Sequence, residues 1–127
     1  MHQLTDKPCE NYAKRNGTVP LSQKSRVDMV INDVSQITGM APDILTSRER
    51  GTSKVSRARF LIYLCLVKMG LGTRGTSRWM RKDHSSVIHG ISEIEKINDL
   101  AKLGHIGNHE LETLEFLKQL KKLGYRI

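Results

Sequence analysis

The run Lys82-Asp83-His84-Ser85-Ser86-Val87-Ile88-His89 decides how this chain is read. Val87, Ile88, Ile91, Ile94 and Ile97 recur from it at helical spacing and predict one apolar face of a helix over residues 83–97. Asp83 suits the N-cap, because its carboxylate can accept from the free backbone N–H groups of a first turn. His84, Ser85 and Ser86 fall in that turn with short polar side chains. In a helix-turn-helix, the amino-terminal residues of the second helix are the ones that meet base edges. A strongly basic segment lies immediately upstream. Together these features predict a recognition helix over 83–97 in a DNA-binding domain.

The charge of the chain is concentrated beside that stretch. The 127 residues carry a net charge of +8. Residues 48–82 hold ten Lys and Arg against the single Glu49, so the segment is +9 by itself, while residues 1–47 sum to zero and residues 83–127 to −1. A basic excess confined in this way is the footprint expected for phosphate binding. A solvated loop and helix face is the plainer reading, and the adjoining helix-turn-helix pattern argues against it.

Upstream of the basic segment, residues 1–24 show no period and contain Pro8, Gly17 and Pro20. A flexible arm is expected there, with Lys14 and Arg15 as weak candidates for DNA contact. Ser25-Arg26-Val27-Asp28 resembles a capping box. Val27, Val30, Ile31, Val34 and Ile37 then form a helical stripe that Gly39 should stop. Residues 41–45 suit a short helix with Pro42 in its first turn, and Ile44 and Leu45 should close the core from one side. Residues 46–53 have no periodicity and read as a basic loop with Arg48, Arg50 and, just beyond, Lys54. Such a loop can follow a phosphate backbone or enter a minor groove. Residues 55–69 are apolar nearly all round and predict a buried central helix, with Arg57 and Arg59 at its polar start and Gly70 and Gly72 at its end. Residues 73–80 give the weakest helical pattern, since Gly75 lowers propensity, and Trp79 on it reads as a core residue. Arg81 and Lys82 should form the turn into the recognition helix, which should end near Asn98.

Downstream, residues 104–107 break the pattern and Asn108 is expected to cap a last amphipathic helix. Leu111, Leu114, Leu117 and Leu120 mark its stripe, which serves either to pack back on the bundle or as the contact of a homodimer. Glu110, Glu112 and Glu115 come early in it and Lys118, Lys121 and Lys122 late, in line with the helix dipole. The fold class expected is all-α: a small helical bundle containing a helix-turn-helix.

Other chemistries are not supported. Cys9 lies in a polar segment and Cys65 in the apolar run, so no disulfide framework is expected. His84 and His89 are five residues apart, roughly 140° around a helix, and do not share a face, so no metal site is expected. His84 is better read as a base or phosphate contact, and His89 as a partly buried structural residue. Ser85 and Ser86 lack an oriented base, and no catalytic site is expected. Residues 70–77 have the glycine spacing of a phosphate loop, but Thr76 stands where the lysine is needed, so no nucleotide or other cofactor is expected. No apolar stretch is long enough for a bilayer, and the amino terminus lacks a signal core. A reduced, cytoplasmic, nucleoid-associated setting is the expectation.

The Arg57-Ala58-Arg59 start of an apolar helix, the basic turn, and Asp83-His84-Ser85-Ser86-Val87-Ile88-His89 resemble the carboxy-terminal DNA-binding domain of the bacterial replication initiator family DnaA. That family's signature reads Asp-His-Thr-Thr-Val-Leu-His, so this chain differs by two Ser for Thr and one Ile for Leu. The resemblance runs from about Arg26 to Ile97. It implies a Trp-repressor-like helix-turn-helix that reads a DnaA box in double-stranded DNA. It further implies that Asp83, His84 and Ser85 face bases, that Ser86 meets bases or backbone, and that Arg59 meets a phosphate; Lys82, beside them, is a further candidate for a base contact. A minor-groove arginine would come from the loop, where Arg48, Arg50 and Lys54 are candidates. Arg57, Arg74, Arg78 and Arg81 are assigned to backbone or minor groove with them. The family has an apolar residue where Gly75 falls, and its loop is shorter. Its ATPase module has no room here. The expected organisation is therefore an arm over 1–24, a DNA-binding domain over 25–98 and a helical extension over 99–127. The expected role is a regulator or replication-associated factor without ATPase activity. The alternative is a protein-interaction adaptor that uses the last helix.

Overall fold

A computed structural model describes residues 22–49 and 51–127. The expected arm lies outside the described residues up to 21, as do Lys14, Arg15 and Cys9, and so does Arg50. The described residues form helices and turns with no strand, as the sequence predicts. Helix α1 covers Gln23–Thr38 and starts one turn before the expected cap. Ser22, not Ser25, is the N-cap: its side chain accepts from Ser25 N–H at 3.1 Å. Gly39 ends the helix as expected, with φ 75° and its N–H bonded to the Ser35 carbonyl. The short α2, Pro42–Thr46, has the proline in its first turn. Leu45 is fully buried, whereas Ile44, expected beside it in the core, is 47% exposed.

Thr52 caps α3, Ser53–Leu66, by accepting from Val55 N–H, so Ser53 and Lys54 belong to the helix rather than the loop. Eight consecutive-turn residues of α3 are buried, including Leu61, Ile62, Cys65 and Leu66, and the helix is the centre of the bundle, packed on α1 and α2. A link kinked at Gly70, Val67–Leu71, follows where the helix was expected to run to Met69. Gly70 (φ 98°) and Gly72 (φ 72°) hold left-handed conformations there that a side chain would strain. Helix α4, Gly72–Met80, and helix α5, His84–Lys102, are joined at Arg81 to Asp83. The fifth helix continues past Asn98 because nothing between there and Gly104 disrupts it. Helix α6, Asn108–Lys122, is preceded by Gly107 as N-cap, so Asn108 opens the helix and does not cap it.

A single cluster of buried side chains joins these elements. It includes Val30 and Val34 of α1, Leu61 and Leu66 of α3, Val87 and Ile94 of α5, and Leu117 and Leu120 of α6. Helices α3 and α5 approach closely at Gly90, where an added Cβ would collide with the Phe60 ring. Tyr125 is buried and its hydroxyl donates to Asp33 Oδ2 at 2.6 Å, tying the chain's end to α1. The expected line between residues 98 and 99 therefore falls inside α5, and the extension shares the core. The leucine stripe of α6 is likewise spent on that core at Leu117 and Leu120, while Leu111 stays 50% exposed.

Candidate nucleic-acid interface

The turn before α5 is set by two hydroxyls on α4. Arg81 adopts φ 54°, the only positive φ among the described non-glycine residues, and reverses the chain. Ser77 Oγ donates to the Lys82 carbonyl, and Lys82 N–H donates back to the Ser77 carbonyl at 3.0 Å. One turn earlier, Thr73 Oγ1 shares a hydrogen bond with His84 Nε2 at 2.7 Å. Thr73 and Ser77 are four residues apart and so share one face of α4. That spacing is visible in the sequence, yet both residues escaped notice because each is unremarkable alone. His84, expected to reach outward, thus has one ring nitrogen committed to fastening α5 onto α4.

Asp83 occupies the N-cap position with extended backbone, and its carbonyl accepts from Ser86 and Val87 N–H. Its carboxylate makes no capping bond, contrary to expectation. The side chain is exposed, as are those of Ser85 and Ser86. The apolar face of α5 is narrower than predicted: Val87, Ile94 and Ile97 are buried, but Ile88 is 47% exposed. His89 is exposed rather than partly buried, stands edge-on to Phe60 with ring centroids 5.9 Å apart, and lies 3.8 Å from Glu93.

An open groove runs beside these residues. Arg48, Arg59 and Lys82 line it together with Ser85, Ser86 and His89. Burial, and then the neighbouring Arg59 and Arg48 charges, hold the Lys82 ammonium below the usual lysine range. Across the groove, burial pushes the Tyr63 phenol up, and the Arg59 charge opposes that. Arg74, Arg78 and Arg81 are exposed along α4 and the turn.

Three of the expected cations have protein surroundings of their own. Arg59 is only 6% exposed. Its Nε donates to the Leu45 carbonyl at 3.3 Å, Nη1 to that of Glu49 at 3.0 Å and Nη2 to that of Ile44 at 2.7 Å. Such a side chain is occupied by backbone and is not displayed to a phosphate. Arg57 lines a second groove with Glu93, Lys96 and Glu110, away from the start of α5. Lys54 is exposed but lies 3.8 Å from Glu112 on α6. Trp79, expected in the core, is 40% exposed and donates from Nε1 to Gln23 Oε1 at 3.0 Å.

Two curated relatives match this sequence. One is the chromosomal replication initiator protein DnaA of Thermosipho melanesiensis, 32% identical over 101 residues that make up 79% of this chain and 21% of that protein. The other is DnaA of Thermosipho africanus, 33% identical over 100 residues, 78% of this chain and 21% of that protein. This chain is similar to part of DnaA. It spans about a fifth of the length of the DnaA proteins it matches. No family model matches the sequence, and no solved structure matches it. The resemblance to DnaA read from about Arg26 to Ile97 is thus matched by a similarity over most of the chain. Among the described residues no helix is long and apolar enough to cross a membrane.

Proposed function

We propose that this chain binds double-stranded DNA of DnaA-box type through a helix-turn-helix formed by α4 and α5. In this reading, α5 enters the major groove by its amino-terminal turn. Asp83, Ser85 and Ser86 face base edges, and Lys82 and Arg48 meet the adjoining backbone or minor groove. His84 contributes by fixing the angle of α5 as well as by any contact of its own. Arg74, Arg78 and Arg81 follow the phosphates along α4. The observation that carries the reading is the groove in which Arg48 and Lys82 adjoin the exposed Ser85 and Ser86. Similarity to DnaA supports the same partner. The role proposed is that of a regulator or replication-associated factor acting on DNA without nucleotide.

The adaptor alternative rested on the leucine stripe of α6. Leu117 and Leu120 are used in the core, and Leu111 is the residue of that stripe that stays half-exposed.

The test is titration of the chain with a DnaA-box duplex and a random duplex at two salt concentrations. Binding should be tighter to the box and should weaken steeply with salt, log K falling by about 0.9 per phosphate neutralised for each unit of log salt. Affinity that is indifferent to salt, or equal for both duplexes, would remove the proposal.

A further inference from the structure

We infer that Arg59 is a positioning residue that holds the loop carrying Arg48 in place, rather than a contact to the nucleic acid. The guanidinium is buried and directs all three nitrogens at main-chain oxygens. Two of those oxygens, on Ile44 and Leu45, belong to the last residues of α2, where helical partners run out, and the Ile44 carbonyl also accepts a long bond from Ser47 N–H at 3.4 Å. The third belongs to Glu49, beside Arg48. Arg59 therefore joins the end of α2 to the middle of the loop, from a fixed position on the central helix.

Among the described residues of the loop, the other hydrogen bonds are local, that from Ser47 N–H to the Ile44 carbonyl among them. Residues 47–49 are polar or charged, Glu49 N–H bonds to Ser47 Oγ within the loop itself, and Gly51 follows. Charge-assisted bonds from a planar fork are strong and directional, and they compensate the burial of the cation. Their consequence is the placement of Arg48 in the groove beside Lys82, Ser85 and Ser86. Arg59 acts on DNA through Arg48. A phosphate ligand at this position would behave differently, because a lysine keeps the charge that a phosphate needs. A lysine cannot reproduce three bonds to three separated carbonyls.

This inference rests on the proposed DNA binding, and the experiment separates the two. The wild type, Arg48→Ala, Arg59→Lys and the double variant are titrated with two duplexes that differ only in an A·T-rich or G·C-rich flank. Arg48→Ala should weaken binding on the order of tenfold, and Arg59→Lys should reproduce both the loss and its dependence on the flank. The double variant should be no weaker than either single one, because both remove the same contact. Losses that multiply, or an Arg59→Lys variant that binds like wild type, would overturn the inference. A second measurement uses the unaltered protein and does not depend on the variant folding. By NMR, the Arg59 Nε–H should be protected from exchange in the free chain and should keep its shift when duplex is added. Rapid exchange in the free chain, or a large shift on DNA, would also overturn the inference. Failure of the wild type to bind either duplex would instead refute the proposed function, leaving the free-state NMR result to judge the brace.

Discussion

Lys82 sits where its own charge is least comfortable in the free protein. Burial comes first among the causes, followed by the charges of Arg59 and Arg48. A lysine whose pKa falls on folding binds fewer protons folded than unfolded, so its contribution opposes folding wherever it is charged. The penalty is complete below the lowered pKa and disappears as pH rises past the unfolded value. Lys82→Gln should therefore raise the melting temperature at neutral pH, with the gain over wild type shrinking at strongly alkaline pH. The same substitution should weaken duplex binding, since a phosphate would relieve the repulsion that the free protein bears. Calorimetric melts across pH, paired with DNA titration, check both signs; a variant less stable than wild type at neutral pH contradicts the argument. At this scale the sequence was a partial guide. The exposure of Ser85 and Ser86 was legible because the N-terminus of an amphipathic helix is exposed by geometry, whereas Lys82, in the turn before it, is half-buried. The setting of Arg59 was not legible, because what occupies it is the carbonyls of residues 44, 45 and 49, and carbonyls are the same in every sequence.

The elements themselves were more legible than their ends. Stripes such as Val27-Val30-Val34 announced helices because apolar spacing reports directly on burial. The ends depended on local bonds with weaker signals: Ser22 and Ser25 are both good caps by composition, and only Ser22 lies where its oxygen meets a free N–H. The weakest expected element, α4, forms a complete helix despite Gly75. Its stability comes from packing against α5 and from the Thr73 and Ser77 bonds across the turn rather than from propensity. Gly75 therefore offers a clean test. It lacks a left-handed φ, and a Cβ there would lie 3.5 Å from Leu71 Cβ, an ordinary contact. Gly75→Ala should stabilise the protein by roughly 1 kcal/mol, the helix-propensity difference. Denaturant unfolding with an unchanged m-value measures it. A loss of stability would mean that the short helix tolerates no side chain on that face.

At the scale of the molecule, the charge and the core divide the sequence differently. The basic excess falls in residues 48–82, but the buried cluster draws on α1, α3, α5 and α6 alike. Charge segregation suggested a DNA-binding unit with an extension attached, because charge is readable one segment at a time. Long-range packing is not: Tyr125 and Asp33 are 92 residues apart, and nothing in either neighbourhood announces the 2.6 Å bond between them. If residues 99–127 are integral to one cooperative unit, removing that bond must be felt throughout. Tyr125→Phe keeps the ring and deletes the hydroxyl, so the expected cost is about 1.5–3 kcal/mol, the range for a hydrogen bond to a charged group. The single Trp79 provides a distant reporter, since it lies on α4 and bonds to Gln23 rather than to α6. Unfolding followed by Trp79 fluorescence and by far-ultraviolet circular dichroism should shift together, with one transition in each. An extension that folds separately would give a different pattern: circular dichroism would show early loss of one helix while the Trp79 midpoint stayed at its wild-type value. Coincident shifts place the carboxy-terminal helix within the unit that holds α5 in position, so that weakening Tyr125 also lowers the fraction of molecules able to bind DNA near the melting temperature.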